Sequence, residues 1–197
     1  MSTPLYFGEG VKCVMTQAWD WSSLQSMSRP VYEIPRYLEL LVSGSPQASR
    51  GARSVLYCEV ANQGQLYTAA AACVDFLAGY VRAGGRLNSA ALRILEEILN
   101  ARTPGSTVEI DGRAVDTAAY CRERTLDVIP DILRTADPVD LDQFDAVCFL
   151  IPQLADSVPQ IIDFLHRHAN HPVPGVRKPV LEALEEAEEV VRDGHNP

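Results

Sequence analysis

The sequence predicts an all-α fold: an α-solenoid superhelix of about four helix pairs, preceded by an N-terminal capping arm. The stretch 33–77 indicates this most directly, because two helical patterns separated by a turn are followed by the start of a third. Ile34, Leu38 and Leu41 recur at three- and four-residue spacing, which places them on one helix face. Residues 43–46 (SGSP) break that pattern, and a second pattern then runs to a polar stop at Gly64. Helix, short turn, helix and a new start form the unit of an α-solenoid.

Composition narrows the classes of function. The chain has 197 residues, 47% of them hydrophobic, and a formal net charge of −9. This length allows one domain with a sizeable core or four to five stacked helical pairs. An acidic chain lacks the clustered Lys and Arg with which proteins bind nucleic acid or anionic lipid, so we expect neither as a partner. A basic partner protein fits the charge better.

Neither a membrane span nor a signal peptide is predicted, and we expect a cytoplasmic protein. No apolar run approaches the roughly 18–20 residues that a span needs, and the first 13 residues lack a basic flank followed by an apolar stretch. The five cysteines, Cys13, Cys58, Cys73, Cys121 and Cys148, are scattered without a C-x-x-C pair. We interpret them as reduced, buried thiols that act as small hydrophobes.

Residues 1–30 do not follow the helical pattern and are predicted to form the capping arm. Apolar residues recur along this stretch, including Leu5, Phe7, Val11, Trp19 and Trp21. An arm or short strand built from them would cover the first apolar edge of the stack, which a solenoid otherwise leaves exposed. Trp19 and Trp21 could instead be anchors for a partner, since Trp is enriched in binding hot spots.

The repeat domain is predicted over 31–192 and is followed by a tail, 193–197. Its predicted helices are 33–43, 46–63, 67–83, 88–101, 114–135, 140–155, 157–169 and 174–192. Gly84-Gly85, Asn88-Ser89 and Asp137-Pro138 mark ends and caps of these helices. An insertion at about 102–116 contains T-V-E-I followed by Asp111-Gly112, which predicts a short hairpin.

The first helix of each pair carries a repeated motif. Ile34-Pro35-Arg36-Tyr37-Leu38 resembles the segments that begin at Val128 and Val158, and Cys73-Val74-Asp75-Phe76-Leu77 fits the same frame without the proline. The copies are irregularly spaced about a mean near 40 residues, as in HEAT-type arrays. Such helix pairs cannot bury their apolar faces alone, so we expect one continuous core along the array.

Three segments carry a resemblance to a known family. They are Asp20-Trp21-Ser22-Ser23-Leu24, the I-P-x-x-L-x-x-L helix from Ile34, and the run from Asn62 to Ala70 (NQGQLYTAA). Together they resemble bacterial HEAT-repeat proteins that are frequent in actinomycetes, and the likeness covers about residues 19–170. That family has His where this chain has Asn62 and Pro where it has Thr68. The resemblance implies a HEAT-repeat fold, and some members resemble immunity proteins of polymorphic toxins.

No catalytic, cofactor or metal motif accompanies this pattern. The sequence has no phosphate-binding glycine loop, no G-x-S-x-G and no H-E-x-x-H. His166, His168 and His171 cluster near a helix end, but residues 166 and 168 point to different sides of a helix and no Cys or carboxylate stands at ligand spacing. We therefore predict no catalytic residue, no cofactor and no metal.

Acidic residues on the second helix of each pair are the candidates for partner binding. In HEAT stacks these helices line the concave surface, and spacings of three and four place several acids on common faces. Asn62 and Gln63 cap a helix or line the same groove, with Gly64 in the left-handed conformation. The candidate partner-binding residues are Glu59, Asn62, Gln63, Glu96, Glu97, Asp142, Asp145, Glu182, Glu185 and Glu189. The inserted loop adds Glu109, Asp111 and Asp116, while Arg36, Arg93 and Arg102 are orienting contacts or internal ion-pair partners.

The function expected from these features is non-catalytic protein binding. Within that class we expect an immunity protein whose acidic concave surface occludes a basic toxin, with electrostatic steering of capture. A scaffold or adaptor that binds a peptide in the groove is the alternative. An enzyme of the HEAT type acting on DNA bases would need a basic concave face, and a lyase-like protein handling a chromophore would need a large apolar pocket.

Overall fold

Nine α-helices and one β-hairpin make up the part of the chain that the computed structural model describes, residues 19–101, 103 and 105–194. The helices are α1 Ile34–Ser43, α2 Pro46–Val60, α3 Ala69–Arg82, α4 Ser89–Asn100, α5 Thr117–Leu126, α6 Ile129–Thr135, α7 Leu141–Leu150, α8 Gln160–His168 and α9 Pro174–Gly194. The strands are β1 Thr107–Ile110 and β2 Arg113–Asp116. The predicted all-α class is confirmed.

Four of the helices begin at residues whose side chains cap them. Ser45, Asn88, Asp116 and Asp140 precede α2, α4, α5 and α7, and each side chain accepts a hydrogen bond from a first-turn backbone N–H. These bonds satisfy donors that a helix start otherwise leaves unpaired. Pro46 at the start of α2 supplies a fixed φ that suits the first helical turn.

Packing organises the helices around one row. Helices α2, α4, α7 and α9 pack on one another in that order, α1 packs on α2, and α8 packs on α9. Helix α3 packs on α5, while α6 contacts α3 and α8. Every residue from Ala69 to Gly79 in α3 is buried, so this helix is apolar on all sides apart from Asp75.

The inserted hairpin is confirmed, but the single helix predicted over 114–135 is wrong. Strand β2 takes its first residues, and the rest divides into α5 and α6 at Asp127-Val128. The proline at position 130 explains the break, because it lies in the first turn of α6 and cannot continue a preceding helix. In the hairpin, Asp111 and Gly112 both have positive φ, as a two-residue type I′ turn requires.

The described part of the predicted arm, residues 19–30, lies against the end of α2 and the start of α3. Met27 N donates to Glu59 O at the end of α2, and Ala69 N at the start of α3 donates to Gln25 O. Leu24 is buried, and Trp19 reaches α3 and α5. The prediction of a cover over the first apolar edge did not anticipate these contacts. Residues 1–18 and 195–197 lie outside the described residues.

Two smaller expectations can be compared directly. Cys73, Cys121 and Cys148 are buried as predicted, whereas Cys58 is exposed on α2, and Cys13 lies outside the described residues. Within the described ranges, no helix is both long and apolar enough to cross a membrane.

Candidate protein-binding surfaces

The predicted partner-binding residues do not form one stripe. Glu59 is only 3% exposed, so its prediction as a surface contact is wrong. Its Oε2 accepts hydrogen bonds from the backbone N–H groups of Ser28 (2.8 Å) and Arg29 (2.9 Å), and its Oε1 accepts from the Ser28 hydroxyl (2.8 Å). Burial alone would raise the pKa of this carboxyl, but these bonds, with the charge of Arg29, outweigh burial and lower the pKa. Glu59 therefore anchors the segment before α1.

Asn62 and Gln63 lie in the turn after α2. Asn62 Nδ2 donates to the sulfur of Met27, and Gln63 is exposed with a φ of 50°. Gly64 has a φ of 78°, which confirms its predicted left-handed conformation. Neither polar side chain contacts the other predicted partner-binding residues in the hydrogen bonds of the described structure.

Four of the predicted acids do come together, but with arginines between them. We call this surface the charged face; its members are Arg50, Arg53, Arg93, Glu96, Glu97, Asp142, Asp145 and Phe149 on α2, α4 and α7. Arg53 pairs with Glu97. Arg93 pairs with Asp145 at 2.8 Å and with Glu96 at 3.5 Å. Arg93 therefore makes two ion pairs within the chain, and Arg102 lies outside the described residues.

The centre of the charged face is an aromatic–arginine contact. The guanidinium carbon of Arg93 lies 3.8 Å from the ring centroid of Phe149, well within cation–π range. Phe149 is 49% exposed although it belongs to a helix that is otherwise largely buried. Spacings of three and four place it on the same face of α7 as Asp142 and Asp145.

A small cavity of about 210 Å³ opens beside this contact. It is lined by Arg50, Arg53, Ser89, Ala90, Arg93, Asp142 and Asp145. Arg50 and Asp142 have no ion-pair partner among the described residues, so one unpaired charge of each sign remains at its walls. The four acids predicted for an acidic concave surface therefore lie on a surface of mixed charge.

The acids of α9 point elsewhere. Val176, Val180, Ala183 and Ala187 form the buried stripe of this helix. At 100° per residue, Glu182, Glu185 and Glu189 fall opposite that stripe. All three are exposed, and Glu182 pairs only with Lys178 of its own helix, at 3.7 Å. They form an exposed acidic edge on α9, and in the described structure none of them pairs with an arginine of the charged face.

A buried carboxylate that the acidic-stripe prediction did not include connects three elements. Asp75 is fully buried in α3. Its Oδ2 accepts from Trp19 Nε1 (3.1 Å) and from the Tyr120 hydroxyl (2.9 Å), and its Oδ1 accepts from Arg124 Nε (2.7 Å). Burial, followed by this bond to Asp75, raises the pKa of the Tyr120 phenol. The sequence did contain a signal for this cluster, namely one Asp inside the apolar run AAAACVDFLAG. A single acid in a buried helix requires hydrogen-bond donors from other parts of the chain.

A larger groove lies between the Trp19–Leu24 segment and the hairpin. Its volume is about 740 Å³, and we call it the hairpin groove; it is lined by Trp19, Asp20, Ser23, Leu24, Thr68, Thr107, Val108, Glu109, Asp111, Gly112 and Ala114. Two of the three acids predicted in the inserted loop, Glu109 and Asp111, belong to it. Asp116 instead caps α5, accepting a hydrogen bond from Ala119 N.

The three histidines near the end of α8 make contacts with different neighbours. His168 packs against Phe144 and Phe164, and its Nδ1 lies 2.9 Å from Phe164 O. His171 Nδ1 accepts from Val173 N, while His166 is exposed. Among the residues that the structure describes, no three His, Cys, Asp or Glu side chains are grouped as a metal site would require.

Comparisons with known proteins return no relative. No family model, no curated protein and no solved structure matches the chain.

Proposed function

We propose that this chain is a non-catalytic protein-binding protein, built as an α-solenoid superhelix of about four HEAT-like helix pairs. The row of α2, α4, α7 and α9 supports the solenoid, because stacking of second helices on one another is the contact pattern of helix-pair repeats. The charged face lies on three helices of that row.

The contact of Arg93 with the half-exposed ring of Phe149 is the observation that carries the proposal. Aromatic and Arg side chains dominate binding hot spots, especially at the centre of a surface with polar surroundings. Ion pairs to Glu96 and Asp145 hold the guanidinium of Arg93 over the ring before any partner arrives. A preorganised contact of this kind loses little conformational entropy on binding.

Within this class, we propose an immunity protein that neutralises a basic toxin by occlusion. The resemblance to bacterial HEAT-repeat proteins supports it, together with the net charge of −9. The partner would contact the charged face, whose acids Glu96, Glu97, Asp142 and Asp145 exceed its three arginines by one. The mixed charge of the same face favours the second candidate, a scaffold or adaptor whose partner carries both signs.

Affinity capture from the source cells, with two matched aromatic variants, tests the proposal. Phe149→Ala removes the exposed ring from the charged face, whereas Tyr32→Ala removes a ring that is 74% exposed outside it. We expect Phe149→Ala to weaken partner binding roughly thirtyfold, as loss of a 2 kcal/mol hot spot would. Tyr32→Ala should bind as the wild type does. A partner captured equally by both variants would refute a binding role for this face.

A further inference from the structure

We infer that the hairpin groove is a docking site for an extended, basic segment of the partner protein. The inference rests on the proposed protein-binding function and adds a second contact surface with a defined chemistry. Its volume of about 740 Å³ falls in the range of about 300–1,000 Å³ that is typical of sites enclosing a ligand.

One wall of the groove is an unpartnered sheet face. In the register of the hairpin, Val108 pairs with Val115 and Glu109 with Ala114. Val108 is buried, whereas Thr107, Glu109 and Ala114 are exposed and line the groove. Among the described residues the sheet has only its two strands. An extended segment lying on this face would place alternate side chains against it, as extended peptides do on the surfaces that bind them.

The opposite wall holds an aromatic side chain that is fixed in advance. The indole N–H of Trp19 donates to Asp75, and its ring meets Tyr120 edge-on with centroids 6.0 Å apart. Trp is the best cation–π acceptor among the side chains. Because two contacts already hold this indole, stacking of an Arg or Lys side chain on it would require little further ordering.

The acidic side chains of the groove favour a basic occupant. Asp20, Glu109 and Asp111 line the groove, and none of the described lining residues is basic. The three acids are exposed and lie on both walls, the first before α1 and the others in the hairpin. A segment with alternating basic residues would therefore meet opposite charges on either side and the indole between them. The α9 edge is also acidic, but helix α9 contains no aromatic residue on which a basic side chain could stack.

A peptide titration with the full-length chain tests this assignment. Trp19 and Trp21 are the two tryptophans of the chain, so Trp21→Phe leaves Trp19 as the sole indole reporter. The probe is a synthetic heptapeptide of alternating Arg and Thr, and the negative control alternates Glu and Thr. We expect the basic probe to bind at low salt and to change the Trp19 emission, and the acidic peptide to do neither.

Two double charge reversals distinguish binding in the groove from nonspecific attraction to an acidic protein. Glu109→Lys/Asp111→Lys alters the groove, and Glu185→Lys/Glu189→Lys makes the same change in net charge on α9. The groove reversal should weaken the probe roughly tenfold or more, since two attractive contacts become repulsive. The α9 reversal should weaken it by less than about threefold, as expected for screened charges at a distance. Glu109→Gln/Asp111→Asn, which keeps side-chain size, should fall between the two.

Each outcome decides the inference. Equal weakening by both reversals, an unchanged Trp19 emission, or no binding of the basic probe would overturn it. Phe149→Ala should leave probe binding unchanged. Two separate surfaces are supported if the groove variants lose the probe while capture of the partner still depends on Phe149. If the basic probe does not bind but capture still depends on Phe149, only the groove inference is refuted. If capture does not depend on Phe149, only the proposed charged-face interface is refuted.

Discussion

Replacing Glu59 distinguishes a structural anchor from a surface contact. In Glu59→Gln, the amide oxygen can still accept from the backbone N–H groups of Ser28 and Arg29, but the two bonds lose their charge. Charged hydrogen bonds contribute about 1 kcal/mol more than neutral ones, so we expect a loss of about 2 kcal/mol in the free energy of unfolding. Glu59→Ala leaves both N–H groups unpaired and should cost about 4 kcal/mol.

Thermal and urea unfolding followed by circular dichroism measure these losses. For a chain of this length, we expect the melting temperature to fall by about 4–8 °C for Gln and about 8–16 °C for Ala. The control is Glu182→Gln, whose side chain is 63% exposed; it should stay within about 0.5 kcal/mol of wild type. Wild-type stability in Glu59→Gln and Glu59→Ala would refute the anchoring role.

The pH dependence gives the same anchor a second signature. The pKa of Glu59 is lowered in the folded chain from its ordinary value of 4.5. Its ionised form therefore stabilises the fold above that value, and the contribution is lost as the pH falls through the lowered pKa. The stability gap between wild type and Glu59→Gln should be complete at neutral pH and should narrow below pH 4.5. A gap that is constant down to pH 3, measured in urea melts at ~0.5 unit steps, would contradict this linkage.

Three further perturbations follow from other parts of the structure. Asp75→Asn should lower the free energy of unfolding by about 3–5 kcal/mol, because Arg124 loses a buried carboxylate partner. Urea unfolding measures this loss, and a value below about 1 kcal/mol would contradict the prediction. Gly112→Ala puts a side chain on a residue with a positive φ of 75°, although the space around it is open. We expect the free energy of unfolding to fall by about 1–2 kcal/mol and amide exchange to rise in the hairpin alone. Unchanged exchange in the hairpin would contradict this. Iodoacetamide at pH 8 should modify the exposed Cys58 before Cys148, because burial raises the pKa of the Cys148 thiol to about 12. Peptide mass mapping measures both rates, and equal rates in the folded chain would contradict the prediction.

Sequence periodicity predicted the helices better than it predicted their surfaces. Asn88 and Ser45 begin helices where expected, because side-chain capping depends on a few neighbouring residues. Glu59 was misplaced because its helix pattern could not reveal that residues 25–29 lie across it. Tertiary contacts between distant segments decide which polar residue is covered, and a single sequence does not contain them.

The same limit applies to the candidate surfaces. Glu97 and Asp145 lie on helices, α4 and α7, as the sequence predicted. Their arginine partners, Arg53 and Arg93, come from the neighbouring helices α2 and α4. Their pairing depends on how α2, α4 and α7 stack. The hairpin groove could not be predicted either, since Trp19 and Glu109 line one cavity only when the hairpin lies beside the segment before α1.

The position of Trp19 has a consequence for the order of assembly. Its hydrogen-bond partner Asp75 lies 56 residues further along the chain, and Tyr120 follows later still. During vectorial synthesis the earliest segment emerges long before either partner exists. Residues 19–29 therefore acquire their final contacts only after α2, α3 and α5 have been made. The two carboxylates that hold this segment, Glu59 and Asp75, both belong to helices that are synthesised after it.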